Sequence, residues 1–135
     1  MVTIFVIGYR SRDMSFWVKG NARRHKYGNA IAGGSKLEES VYQLLALREK
    51  AGEIEDLKRQ STVVLQDGPR NVRITWRIDF EWVNKATGET EYGEAKGVET
   101  EVYKLKLKLF RKNPPGRLEI WKGHHTRPRL VEVVG

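Results

Sequence analysis

Asp79, Glu94 and Lys96 are residues of the right type and spacing to cut a phosphodiester. Residues two apart on a strand share a face, so Glu94 and Lys96 point the same way if they lie on one. Asp79 sits 15 positions earlier, within a run that alternates strictly. Val72, Ile74, Trp76, Ile78, Phe80 and Trp82 interleave with Arg73, Thr75, Arg77, Asp79 and Glu81. That period of two predicts a strand with one buried face, carrying Asp79 opposite the tryptophans. Gly88 lies in the turn 84–89, and a second strand is expected over about 90–96, forming a hairpin. Pairing of the hairpin would then set two carboxylates and an ammonium on one patch of sheet. Two carboxylates suit a hard cation such as Mg2+, held at about 2.0–2.1 Å. The cation lowers the pKa of its water and polarises the phosphoryl oxygen. The lysine can orient that water or steady developing charge. Spacing alone leaves a second reading open, a surface cross-strand salt bridge. Asp56-Leu57-Lys58 matches half of the same pattern after the first helix, but lacks an acid on a hairpin partner.

The elements that must position these residues can be read along the chain. The apolar run Val2–Ile7 is too short to span a membrane and reads as an N-terminal strand. It lacks the flanks of a signal peptide, and a cytoplasmic location is expected. Residues 8–34 read as loop or arm, so 1–34 form an N-terminal segment ahead of a core over 35–135. Ser35 with Glu38 three residues later is a capping-box pattern. Leu37, Val41, Leu44, Leu45 and Arg48 follow helical spacing, and Gly52 is a stop, predicting a helix over 36–51. A short strand is expected over 62–66, before the turn Asp67-Gly68-Pro69. Residues 100–112 fit either strand or helix. Thr100 as a cap and the Asn113-Pro114-Pro115-Gly116 stop favour a helix, whose face would be Val102, Leu105, Leu109 and Phe110. Strands are expected over 118–121 and, at an edge, 130–134. A hairpin, a crossover helix and a returning strand imply a mixed sheet in an α/β (α+β) domain.

The 135 residues fit one domain with one core. The absence of cysteine excludes disulfides and thiolate metal sites. The balance of 25 Lys plus Arg against 17 Asp plus Glu, net +8, favours an anionic partner, nucleic acid first. Basic residues crowd Arg23, Arg24 and Lys26, then Lys104, Lys106, Lys108, Arg111, Lys112 and Arg117. Acids crowd 89–101. A basic surround holds phosphates, and an acidic centre holds the neutralising cation. Trp17, near Arg12 and Lys19, could stack on a base or simply anchor the arm. His25, His124 and His125 lack zinc-ligand spacing.

Short matches in order resemble a phage-associated family of the PD-(D/E)XK nuclease superfamily. They are Lys26-Tyr27-Gly28-Asn29, Ser35-Lys36-Leu37-Glu38, Glu49-Lys50-Ala51-Gly52-Glu53-Ile54, Leu57 and Gln60. Ile78-Asp79-Phe80, Glu94-Ala95-Lys96-Gly97 and Tyr103-Lys104-Leu105-Lys106 complete the series. The family usually has a longer apolar segment between its Lys-Tyr-Gly stretch and the first helix. The resemblance implies a restriction-endonuclease-like core, a mixed central sheet flanked by helices. It implies Asp79 as the motif's Asp, Glu94 and Lys96 as its E-x-K, and Glu38 as an acid supplied by the first helix. Glu38 therefore has two readings, a capping-box partner or a metal ligand beside Asp79 and Glu94. Gln60 and Lys106 match positions that contact phosphate or back up the site, and a solvated surface role stays open for both. The expected activity is Mg2+-dependent DNA cleavage, with Mn2+ able to substitute. Similar small members resolve Holliday junctions as homodimers, so four-way or branched DNA is the expected substrate. Nicking, single-strand or flap cleavage, or DNA binding without cutting, are the rivals.

Overall fold

A computed structural model describes residues 35–135. The expected N-terminal strand, the arm, and Trp17, Arg23, Arg24 and Lys26 lie outside them. The described chain runs α1 (Lys36–Lys50), β1 (Ile54–Gln66), β2 (Ile74–Asn84), β3 (Thr90–Ala95), α2 (Glu101–Lys112), β4 (Arg117–Lys122) and β5 (Arg129–Val134). The five strands form one mixed sheet in the order β1-β2-β3-β4-β5. Only the β3–β4 pairing is parallel. That pairing needs a crossover, which α2 supplies.

Both helices start on side-chain caps. Ser35 Oγ accepts the N–H of Glu38 at 3.1 Å, and Thr100 Oγ1 accepts that of Tyr103 at 3.1 Å. The α1 helix ends with Gly52 at φ 85, a left-handed position that glycine takes without strain. Leu37, Val41 and Leu45 of α1 are buried with Ile54, Leu57, Phe80 and Trp82. On α2, the buried face is Tyr103, Leu107 and Phe110, packed with Val63, Trp76, Ile78, Leu118, Ile120 and Val134. The helix expected there is present, but its face is corrected. Val102 and Leu105 are 61% and 56% exposed, whereas Tyr103 and Leu107 face the sheet. A lysine-rich helix hides its phase, because alternate leucines support two faces nearly equally.

The single buried face expected for β2 is also corrected. Trp76 and Ile78 belong to the α2 core, and Phe80 and Trp82 to the α1 core. These cores lie on opposite faces of the sheet. Tyr92, Leu118 and Ile120 pack against α2, while Ala95 and Trp121, at opposite positions of the same strands, pack against α1. The inward series of β2 therefore changes sides across Asp79. The same happens on β1, where Gln60, at φ 62, separates Leu57 from Val63. Residues 59 and 61 pair with 80 and 78, so the two irregular positions lie abreast. β3 pairs with β2 only at Phe80–Val83, which frees β2 to turn away at Asp79.

The first strand is 13 residues rather than the short segment expected, beginning at Ile54. Its polar residues and the left-handed positions at Asp56 and Gln60 break the alternation that would announce it. Asp56-Leu57-Lys58 consequently lies inside β1, and Lys58 pairs with Glu81.

Gly93 lets the α1 core close on β3. A Cβ there would stand 2.9 Å from a ring carbon of Trp82, which is fully buried. Gly93→Ala is expected to cost about 1–3 kcal/mol through overpacking. Thermal unfolding followed by circular dichroism should show a loss of several degrees, and an unchanged midpoint would contradict this packing.

Candidate active site

The change of sides at Asp79 creates a place where groups from both faces meet. Glu38 comes from the first turn of α1, Asp79 from the bend in β2 and Glu94 from β3. The Asp79 N–H donates to Glu94 Oε1 at 3.2 Å, and the Ala95 N–H donates to Asp79 Oδ2 at 2.9 Å. The carboxyls of Glu38 and Asp79 lie close enough to act on each other, and Gln60 Nε2 donates to Glu38 Oε2 at 2.8 Å. The left-handed backbone of Gln60 thus lies where its amide meets the first helix. Of the capping box only one half is present among the described residues: the Ser35 side chain caps the helix, but the Glu38 side chain turns to this cluster instead of back to the Ser35 N–H. The Glu38 backbone N–H serves the cap while its side chain faces Asp79.

Burial makes the cluster electrically tense. Glu38 and Glu94 are 4% and 5% exposed. Burial pushes Glu38 up to about 8, and the Asp79 charge adds to this while Arg59 opposes it. Burial and then Asp79 raise Glu94 to about 8, against the Asp79 N–H, Lys96 and Lys106. Asp79 is itself raised, chiefly by burial. Three acids in one poorly solvated spot cannot all ionise cheaply.

Lys96 follows the end of β3. Its Nζ lies 4.9 Å from the Tyr103 ring centre, and its backbone N–H donates to Trp121 O at 2.9 Å. Lys106, half-buried on α2, is near enough to influence Glu94. Lys104 instead pairs with Glu101, and Lys108 is exposed. Of the three lysines, the cluster involves Lys106.

Two neighbours were not anticipated. Arg59 reaches Glu38 at 4.0 Å and Glu39 at 3.0 Å, and lies over Tyr42 and Phe80. Only its place beside Gln60 could have signalled it. Tyr103 supports Lys96 by its ring face, and its buried hydroxyl has no hydrogen-bond partner among the described residues. Its place in the quoted motif was visible, but not its role.

Among the described residues, no group of three His, Asp or Glu side chains is already arranged to hold a metal ion. The acids instead receive neutral donors, the Gln60 amide and the backbone N–H groups of Asp79 and Ala95. Their chemistry nevertheless fits a divalent cation: three carboxyls offer hard oxygen donors in a poorly solvated spot. A cation there could relieve the repulsion between them.

The chain matches the family described as "Protein of unknown function (DUF1064)" over residues 18–125, and it belongs to that family. No curated protein matches it, and no solved structure matches it. No helix among the described residues is long and apolar enough to cross a membrane.

Proposed function

We propose that this protein is a metal-dependent endodeoxyribonuclease with a restriction-endonuclease-like core. One observation carries the reading: Glu38, Asp79 and Glu94 converge from a helix and two strands, with Lys96 on the adjoining turn. A binding protein has no use for three clustered acids, two of them buried, since they repel both each other and DNA. In this reading Glu38, Asp79 and Glu94 would hold Mg2+, or Mn2+ in its place, which would supply an activated water and neutralise charge on the phosphate. Gln60 and Arg59 hold Glu38 in place, and Lys96, steadied on Tyr103, would orient the water or steady developing negative charge. Lys106 and the basic residues Arg23, Arg24, Lys26, Lys104 and Lys108 would meet phosphates farther out. Four-way or branched DNA is the proposed substrate. A homodimer would supply its two symmetric cuts, in phage recombination or genome processing within the cytoplasm.

Four-way, flap, single-stranded and linear DNA should be incubated with the full chain, with and without Mg2+ or Mn2+. Metal-dependent cutting of the four-way junction in symmetric pairs is the expected result. Preferential cutting of another substrate would replace the specificity while keeping the enzyme. No cutting of any substrate with either metal would overturn the enzymatic reading and favour DNA binding alone.

A further inference from the structure

The β4–β5 connection has no role in the reaction above, yet it and its strand ends carry cations and no acid. Lys122-Gly123-His124-His125-Thr126-Arg127-Pro128-Arg129 holds three permanent cations, two histidines and no acid. Its shape is specified by local bonds. Gly123 takes φ 107, the Arg127 N–H donates to His124 O at 2.9 Å, and the Thr126 N–H donates to His124 Nδ1 at 3.2 Å. The two imidazoles lie tilted by 36° to one another, with ring centres 4.2 Å apart.

Its position is tied to the acid cluster from two sides. The loop leaves β4 directly after Trp121, whose carbonyl accepts the Lys96 N–H. Lys36, two residues before Glu38, is close enough to act on His125. The loop therefore lies alongside the edge where α1 and β3 deliver Glu38 and Glu94. Lys122 is paired with Glu99. Arg127 and Arg129 are exposed and have no ion pair among the described residues. Two free guanidiniums beside two exposed or half-exposed imidazoles make a ridge of donors without a negative partner. Guanidinium forks match phosphate oxygens.

We propose that the His124–Arg129 loop is a clamp for the DNA backbone, gripping phosphates next to the one being cut. This rests on the nuclease reading for its substrate, but binding alone tests it. The histidines add a pH response. Desolvation, then His124 and Lys36, hold His125 below its usual value. A bound phosphate opposes those cations and favours the imidazolium. His124 faces Thr126 and the His125 ring.

Duplex-DNA affinity should be measured in the full chain carrying Asp79→Asn, so that Mg2+ can be present without cutting. Adding Arg127→Ala and Arg129→Ala should weaken binding about tenfold at moderate salt. It should also reduce the slope of log affinity against log salt by about 1.8, at roughly 0.9 per phosphate contact. An unchanged slope overturns the clamp. The site acids also titrate, so the histidines are read by difference. His124→Gln with His125→Gln should lose part of the affinity gained between pH 7.5 and 5.5. Full retention of that gain overturns the histidines' share. A normal slope change without cutting by the wild type would keep the clamp and remove only the enzyme. Cutting without a slope change would do the reverse.

Discussion

Asp79→Asn is expected to lower the single-turnover rate of DNA cutting by at least about 10³-fold while leaving DNA affinity within a few-fold. The asymmetry follows from what the side chain does. Asparagine keeps an oxygen for the Ala95 N–H, so the junction between β2 and β3 can close as before. What it removes is the charge shared with Glu38 and the ability to ligate a cation tightly. Asp79 lies between the two other acids, raising the pKa of each, so its loss should alter both. Glu94→Gln should behave alike, since Gln can still accept the Asp79 N–H. Cutting at the wild-type rate by either variant would remove that residue from the site. Failure to bind DNA would show that the substitution had damaged the fold.

The parts of this arrangement that were legible in the sequence are those with an unbroken period. The α1 helix, the β2–β3 hairpin and the parallel return through α2 follow from spacing, caps and stops. The proximity of Asp79 to Glu94 follows from hairpin pairing alone. Residues 54–61 and the two-sided packing of β2 did not show, for one reason. Gln60 and Asp79 interrupt both strands at the same level, so alternation on one side of that level describes a different face from alternation on the other. A continuous apolar series such as Trp76 to Trp82 carries no mark of where it changes sides. The irregularity lies at the acid cluster itself, where local rules give way to the needs of a site. Arg59 was obscured with it, because a residue beside a left-handed position cannot be assigned to a face by counting. The exposed loop 123–128 falls between the strands expected over 118–121 and 130–134, but its nearness to Lys96 depends on a parallel β3–β4 register that spacing does not specify.

The same acids predict an inverted pH dependence of stability that needs no substrate. Glu38 and Glu94 are raised from 4.5 to about 8 in the folded chain. Their folded form binds protons more tightly than the unfolded form. Their stabilising contribution is therefore full below about pH 4.5 and is lost as pH rises towards 8. The cost at pH 8.5 is on the order of a few kcal/mol, and the two do not add simply because both couple through Asp79. Glu94→Gln and Glu38→Gln should accordingly melt several degrees above the wild type at pH 8.5, with the gap closing towards pH 5. The difference between variant and wild type is the quantity to measure, since the net charge of +8 and the ion pairs elsewhere titrate equally in both. Mg2+ sharpens the result. Binding to ionised acids should raise the wild-type stability most at pH 8.5, by about 2.7 kcal/mol at a hundredfold excess over its dissociation constant. The increase should be largely absent in Glu94→Gln. A variant no more stable than the wild type at alkaline pH would mean that the acids are relieved by solvent. A Mg2+ response of equal size in both proteins would place the ion elsewhere. Stability given up at this cluster, and recovered when a cation arrives, is what separates a metal site from a set of surface ion pairs.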